Sequence, residues 1–285
     1  MNAVDLSFLD NRRKPRMKLP AGATDAHCHV FGPGDKFPYA PNRRYTPKDA
    51  PKEALRALHD HLGVSRAVIV QASCHGTDNA AMLDCIASDP KRYRGVCIAD
   101  DSFTERDFEK LHQGGVRGVR FNFVKHLGGS PDMGVFMRVI DRVKGLGWHV
   151  VLHLDAPDIV PLSSMIARLP LPFVIDHMGR VPAVAGVDQE PLRALVKLAR
   201  LDNCWIKVCG AERIDMPPYN RAAPIARILV EVNPERVLWG TDFPHPNSTH
   251  ECDEADLVDL IPHYAVNEKA QQRLLVDNPA RLYGF

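Results

Sequence analysis

Short apolar runs alternate with stretches of helical periodicity from about residue 24 to the end of the chain. The first run, 24–30 (TDAHCHV), follows a basic lead and precedes the turn formers Gly32-Pro33-Gly34, so it reads as a buried strand. A Pro- and Tyr-rich loop, 31–47, leads to a helix with Asp49 as candidate cap and Leu55, Leu58 and Leu62 on one face. An apolar strand at 66–71 precedes a helix opened by Asp78 and carrying Met82, Leu83 and Ile86. After a strand at 93–99, Thr104-Glu105-Arg106-Asp107 has the pattern of a capping box ahead of Phe108 and Leu111. The alternation continues with strands at 118–123, 148–154, 173–177, 204–209 and 237–241. Helices are expected near 133–146, 158–168, 190–200 and 221–232, with closing segments near 254–261 and 267–276.

Strands and helices in strict alternation, with no low-complexity linker, predict an α/β fold of parallel strands covered by helices. Eight such units in this length predict a single-domain (β/α)8 TIM-type barrel over 24–285, preceded by an irregular arm at 1–23. An open doubly wound sheet competes, but no glycine-rich phosphate turn follows the first strand.

Composition narrows the partners. A net charge of +1 gives no electrostatic case for nucleic acid or an anionic membrane surface. No apolar run approaches membrane-spanning length, and residues 1–17 lack the apolar segment of a secretory signal. The seven cysteines are scattered, without the spacing of a zinc site or a disulfide framework, so a reducing cytoplasm is the expected location. The oligomeric state is open.

In a barrel of this type the reactive groups sit at the C-terminal ends of the strands. His27 and His29 alternate onto one face of the first strand, where two imidazoles can hold a metal or polarise a carbonyl. Arg120 and Asn122 end the fourth strand, His153 the fifth, His177 the sixth and Asp242 the eighth. A carboxylate at Asp242 costs several kcal/mol to bury unless it is paired or ligated. Asp176 is expected on the face of its strand opposite His177. Cys28 is expected in core packing. Ser73, Cys74 and His75 end the second strand, and Tyr45 is placed to reach the mouth from the first loop. The competing reading of the histidines is structural, bonded to backbone; that of Arg213 is an ion pair with Glu212 or another acid.

This set of strand-end residues resembles the amidohydrolase superfamily, as does the ending Asp277 to Phe285 (DNPARLYGF). Within it, the chain resembles the 2-pyrone-4,6-dicarboxylate hydrolases in TDAHCHVFGP at 24–33, FPYAP at 37–41, GVRGVRFNFVK at 115–125, DHMGR at 176–180, VLWGTDFPHPN at 237–247 and LLVDN at 274–278. The resemblance implies a lactonase of aromatic-acid breakdown that opens a carboxylated lactone. It implies that Asp242 activates water, that His27, His29 and His177 surround the lactone carbonyl, and that Arg120 and Arg213 grip substrate carboxylates. His126, His153, Ser73, Tyr45 and His245 join the expected substrate contacts. Two positions depart from the pattern: His126 stands where the family has an Arg that binds carboxylate, and His153 where it has a Tyr.

The resemblance implies no required cofactor. The residues nonetheless offer a candidate site for one Zn2+ or Mn2+ ion on His27, His29, His153 and Asp242. Arg120 and Asn122 on strand four argue against a second ion. The alternatives are a metal-dependent decarboxylase of an aromatic or muconate-like acid, and a non-catalytic barrel that binds small acids.

Overall fold

The computed structural model describes residues 8–9 and 12–285. Eight parallel strands, β1 (Thr24–Cys28), β2 (Arg66–Val70), β3 (Tyr93–Cys97), β4 (Val116–Asn122), β5 (His149–His153), β6 (Phe173–Ile175), β7 (Cys204–Lys207) and β8 (Val237–Leu238), pair in sequence order. Backbone bonds from Ala26 N–H to Trp239 O and from Asp242 N–H to His27 O, each 2.8 Å, join the first strand to the last and close the barrel.

The helices are α1 (Lys52–Leu62), α2 (Ala80–Ser88), α3 (Glu105–Gln113), α4 (Met133–Val143), α5 (Ala156–Ile166), α6 (Glu190–Ala199), α7 (Ala211–Ile214), α8 (Ala222–Val232), α9 (Glu254–Tyr264), α10 (Glu268–Gln272) and α11 (Asn278–Tyr283); all but the short α7 and α11 lie where periodicity placed them. Thr104 and Asp107 form the reciprocal capping box ahead of α3. Asp49, in contrast, does not cap α1. Pro51 holds that position with no side-chain bond, and Asp49 accepts from the Tyr39 hydroxyl at 2.6 Å inside the first loop. The closing segment is two short helices joined by a π-turn over Arg273–Asp277.

Alternation along the strands builds two layers. Ala26, Val68, Val70, Val96, Val151, Val174, Trp205 and Leu238 fill the barrel, plugged from below by Tyr283 of α11. The alternate positions, among them Ile69, Val119, Leu152, Ile175 and Ile206, pack outward against the helices. In β1 strict alternation would put Ala26 with Cys28, but Ala26 is inside and Cys28 outside. A register shift against β2 between Asp25 and Cys28 accounts for this, re-aiming the strand where the histidines begin. From the arm, Arg12 reaches Glu254 at 2.5 Å, and Arg13 pairs with Asp256 and Asp259. All seven cysteines are buried and free. Among the described residues no helix is long and apolar enough to cross a membrane.

Candidate active site

The C-terminal ends of the strands converge on one buried centre and one cleft above it. At the base, the Asp25 carboxylate accepts from the His27 and Thr241 amides (3.0 Å each), the Thr241 hydroxyl (2.6 Å) and His59 Nε2 (3.1 Å). This strut ties β1 to the turn after β8 and so fixes His27 relative to Asp242. Close approach is possible only because position 240 lacks a side chain: a Cβ on Gly240 would lie 2.6 Å from the His27 nitrogen.

Asp242 sits in the left-handed region at φ 60, a strained conformation for a non-glycine residue. Its Oδ1 faces three imidazoles: His29 Nε2 at 3.2 Å, His27 Nε2 at 3.5 Å and His177 Nε2 at 3.9 Å. Its Oδ2 is held by Arg213, through Nε at 2.7 Å and Nη2 at 2.6 Å. Burial pushes the Asp242 carboxyl up, but Arg213 and the surrounding histidines outweigh it and hold it well below the usual carboxylate range. His29 places Nδ1 2.7 Å from the Val70 carbonyl, so both its ring nitrogens face oxygen acceptors. His27, His153 and His177 are fully enclosed, and burial is the main cause that pushes each below the usual histidine range, His27 to about 3.

His177 opens a left-handed turn, with His177, Met178, Gly179 and Arg180 all at φ between 51 and 62. β6 therefore ends at Ile175, and the expected alternation of Asp176 and His177 to opposite faces does not occur. Both turn into the centre. Asp176 takes Arg120 Nε at 3.0 Å and stands 3.3 Å from His27 Nδ1, while the His177 and His27 rings lie 4.6 Å apart. Gly210, at φ 78, makes room for His177; a Cβ there would come within 2.7 Å of its Nδ1.

The cleft above this centre, about 370 Å³ including its mouth, is lined by His29, Tyr45, Ser73, Arg120, His126, His153, His177, Arg213 and Asp242. Nine of the residues expected from sequence thus share one wall or another. His153 bonds Asn122 at 2.8 Å and meets the His177 ring at 5.1 Å, but it lies outside the trio of His27, His29 and Asp242, whose ligand atoms fall within 4.8 Å of one another. His245 does not reach the cleft, correcting the expectation of substrate contact. It is buried behind the site with its nitrogens 3.5 Å from Glu212 and 3.3 Å from Glu254. Of the residues ending strand two, Cys74 is core, and His75 accepts from the Gly32 amide and packs on Tyr39.

Three residues that sequence reasoning passed over belong here. Lys207 is fully buried at the end of β7, 2.9 Å from His27 Nδ1 and 3.1 Å from Asp176 Oδ1; a lysine inside the apolar run 204–209 was the available signal. Arg180 and Asn247 also line the cleft. The three guanidinium groups differ in what they have left to give. All three Arg213 nitrogens are engaged, by Asp242 and the Pro246 carbonyl. Arg120 and Arg180 each spend only Nε, on Asp176 and Asp155, and their terminal nitrogens make no hydrogen bond to a described residue.

Comparison with known proteins places this geometry. Residues 24–285 match the family model described as Amidohydrolase. The chain is 48% identical over 290 residues to the 2-pyrone-4,6-dicarboxylate hydrolase of Comamonas testosteroni, across 98% of this chain and 95% of that protein. It is 41% identical over 272 residues to the 4-sulfomuconolactone hydrolase of Rhizobium radiobacter, across 93% and 91% of the two. A crystal structure of a probable 2-pyrone-4,6-dicarboxylic acid hydrolase from Acinetobacter baumannii with citric acid bound superposes with a TM-score of 0.83 at 28% identity, covering 93% of this chain and 100% of that one.

Proposed function

The chain belongs to the amidohydrolase family, and from that membership we propose that it hydrolyses a small lactone bearing two anionic groups, 2-pyrone-4,6-dicarboxylate foremost. The observation that carries the reading is the cleft itself: an ionised Asp242 whose Oδ1 faces three imidazoles, beneath two guanidinium groups with unspent donors. Arg120 and Arg180 are the anion grips, since a planar guanidinium takes a carboxylate through paired N–H donors. Arg213 keeps Asp242 ionised and oriented instead of gripping substrate.

In the reaction, Asp242 Oδ1 orients a water and accepts its proton as the water oxygen bonds to the lactone carbon. The ring carbon–oxygen bond breaks, and the ring oxygen leaves with a proton, for net addition of one water. His27 and His177 donate to the developing oxyanion. A carboxylate held this low is a weak base, so stabilising the oxyanion carries much of the rate.

Amidohydrolase folds commonly hold a divalent ion, and His27, His29 and Asp242 offer three ligand atoms. Their surroundings do not fit one. Lys207 stands 2.9 Å from His27 Nδ1, Arg213 occupies the second oxygen of Asp242, and Arg120 adds a third cation beside Asp176. No step is assigned to a metal.

The test is turnover of 2-pyrone-4,6-dicarboxylate and 4-sulfomuconolactone, followed by loss of ring absorbance and by proton release. Ring opening without CO2 is the expected result. Release of CO2 would replace this reading with a decarboxylase, and binding of both compounds without turnover would leave a small-acid-binding barrel.

A further inference from the structure

A lysine in the middle of an apolar strand must find partners, because an unpaired buried ammonium costs several kcal/mol. Lys207 finds two: the Asp176 carboxylate and the Nδ1 atom of His27. We propose that Lys207 fixes the tautomer of His27, making its Nε2 a hydrogen-bond donor directed toward Asp242 Oδ1 beneath the cleft and closing that nitrogen to metal ions.

An ammonium can donate but not accept. At 2.9 Å from Lys207, His27 Nδ1 must therefore present its lone pair. With Nδ1 presenting its lone pair, the ring holds one proton, and it resides on Nε2. That atom has no hydrogen-bond partner among the described residues and stands 3.5 Å from Asp242 Oδ1. It is a pre-aimed N–H at the place where, on the lactonase reading, the carbonyl oxygen gains charge.

Binding a metal through Nε2 would require the proton to move to Nδ1. A ligating histidine ordinarily donates that other N–H to a carboxylate or a carbonyl. Asp176 Oδ1 is near enough, at 3.3 Å, but Lys207 already points a donor at the same nitrogen, so two N–H groups would face each other. The His27 backbone is packed close to Gly240, where an added Cβ would lie 2.6 Å from its amide nitrogen. Lys207 is thus a positioning residue: it touches no substrate, yet it decides which edge of His27 can act and how.

The experiment uses full-length protein labelled with 15N-histidine and a long-range proton–nitrogen correlation spectrum. The chain has 13 histidines, and the spectrum of His27→Asn identifies the resonances of His27. In the wild type, Nδ1 is expected at a pyridine-like shift and Nε2 at a pyrrole-like shift, both unmoved by stoichiometric Zn2+. In Lys207→Met the pattern should invert, with Nδ1–H donating to Asp176. The variant should then acquire a Co2+ site visible by its d–d absorption, and kcat should fall about 100-fold with KM little changed. A wild-type His27 protonated on Nδ1, a Zn2+-induced shift of its Nε2, or an unchanged tautomer in Lys207→Met would each overturn the proposal. If the variant does not fold, the wild-type spectra with and without Zn2+ still decide. No substrate enters the spectra, so a confirmed tautomer in a protein that opens no lactone would refute only the lactonase reading.

Discussion

Replacing Arg213 by Met separates the electrostatic support of Asp242 from its position. Arg213 contacts Oδ2 twice, at 2.7 and 2.6 Å, and the side chains are 10% and 1% exposed. At 2.7 Å and an effective dielectric of about 20, the attraction is on the order of 6 kcal/mol before desolvation is counted. Removing one partner of a buried pair leaves the other charge stranded and typically costs about 3–5 kcal/mol. For a chain of this size that lowers Tm by roughly 5–8 °C. The pH dependence carries the sharper information. In the wild type the folded carboxyl lies below its unfolded value of about 3.9, so its stabilisation is complete above that pH and is lost only in strong acid. Without Arg213, burial becomes the largest remaining influence and raises the carboxyl, so the penalty is full at pH 8 and is relieved as falling pH protonates Asp242. The Tm gap between wild type and variant should therefore be widest at pH 8 and shrink towards pH 5. The kcat/KM profile of the variant should gain an acid limb that the wild type lacks. Thermal melts by circular dichroism across this range, with initial rates on the lactone, measure both. A gap under about 2 °C, or one constant from pH 5 to 8, would show that Arg213 does not hold Asp242 ionised.

Asp242→Asn should lower kcat by about 10²–10⁴ while the fold survives, which single-turnover assays and melts check together. Arg180 and Arg213, after desolvation at the mouth, push His126 below the usual histidine range, so it is neutral at pH 7.5 and gains charge only on the acid side. KM for a dianionic lactone should fall as the pH drops below the usual histidine range, and His126→Arg should lower KM and flatten that dependence. Thr104→Ala breaks the capping box at a residue that does not line the cleft and should cost about 0.5–2 kcal/mol in melts with unchanged kcat/KM.

Much of this was legible in the chain. Apolar runs of period two and helical stretches of period 3.6 are local properties, so strand order and barrel class followed from the pattern. Strand-end polar residues followed as well, because a parallel barrel presents every such end on one rim. Nine of the expected residues do line one cleft. What failed was whatever depended on backbone leaving the regular pattern or on partners distant in sequence. Alternation misplaced Asp176 because the chain turns left-handed at His177. Asp49 looked like a cap but is claimed by Tyr39, ten residues away. His245, next to the reactive loop in sequence, is drawn behind it by Glu212 and Glu254.

The charges show the same division. Sequence placed Arg120, Arg213 and Asp242 near one another, but it could not say which guanidinium is free for a ligand and which is consumed by the protein. That depends on distances of a few tenths of an ångström between residues up to 56 positions apart. Lys207 was passed over for the same reason, since a lysine in an apolar strand acquires meaning only once the barrel closes and puts His27 and Asp176 around it. Local periodicity determined the scaffold and the rim. Closure of the barrel, through long-range packing and the pairing of buried charges, decided which of the rim residues face a substrate and in what protonation state.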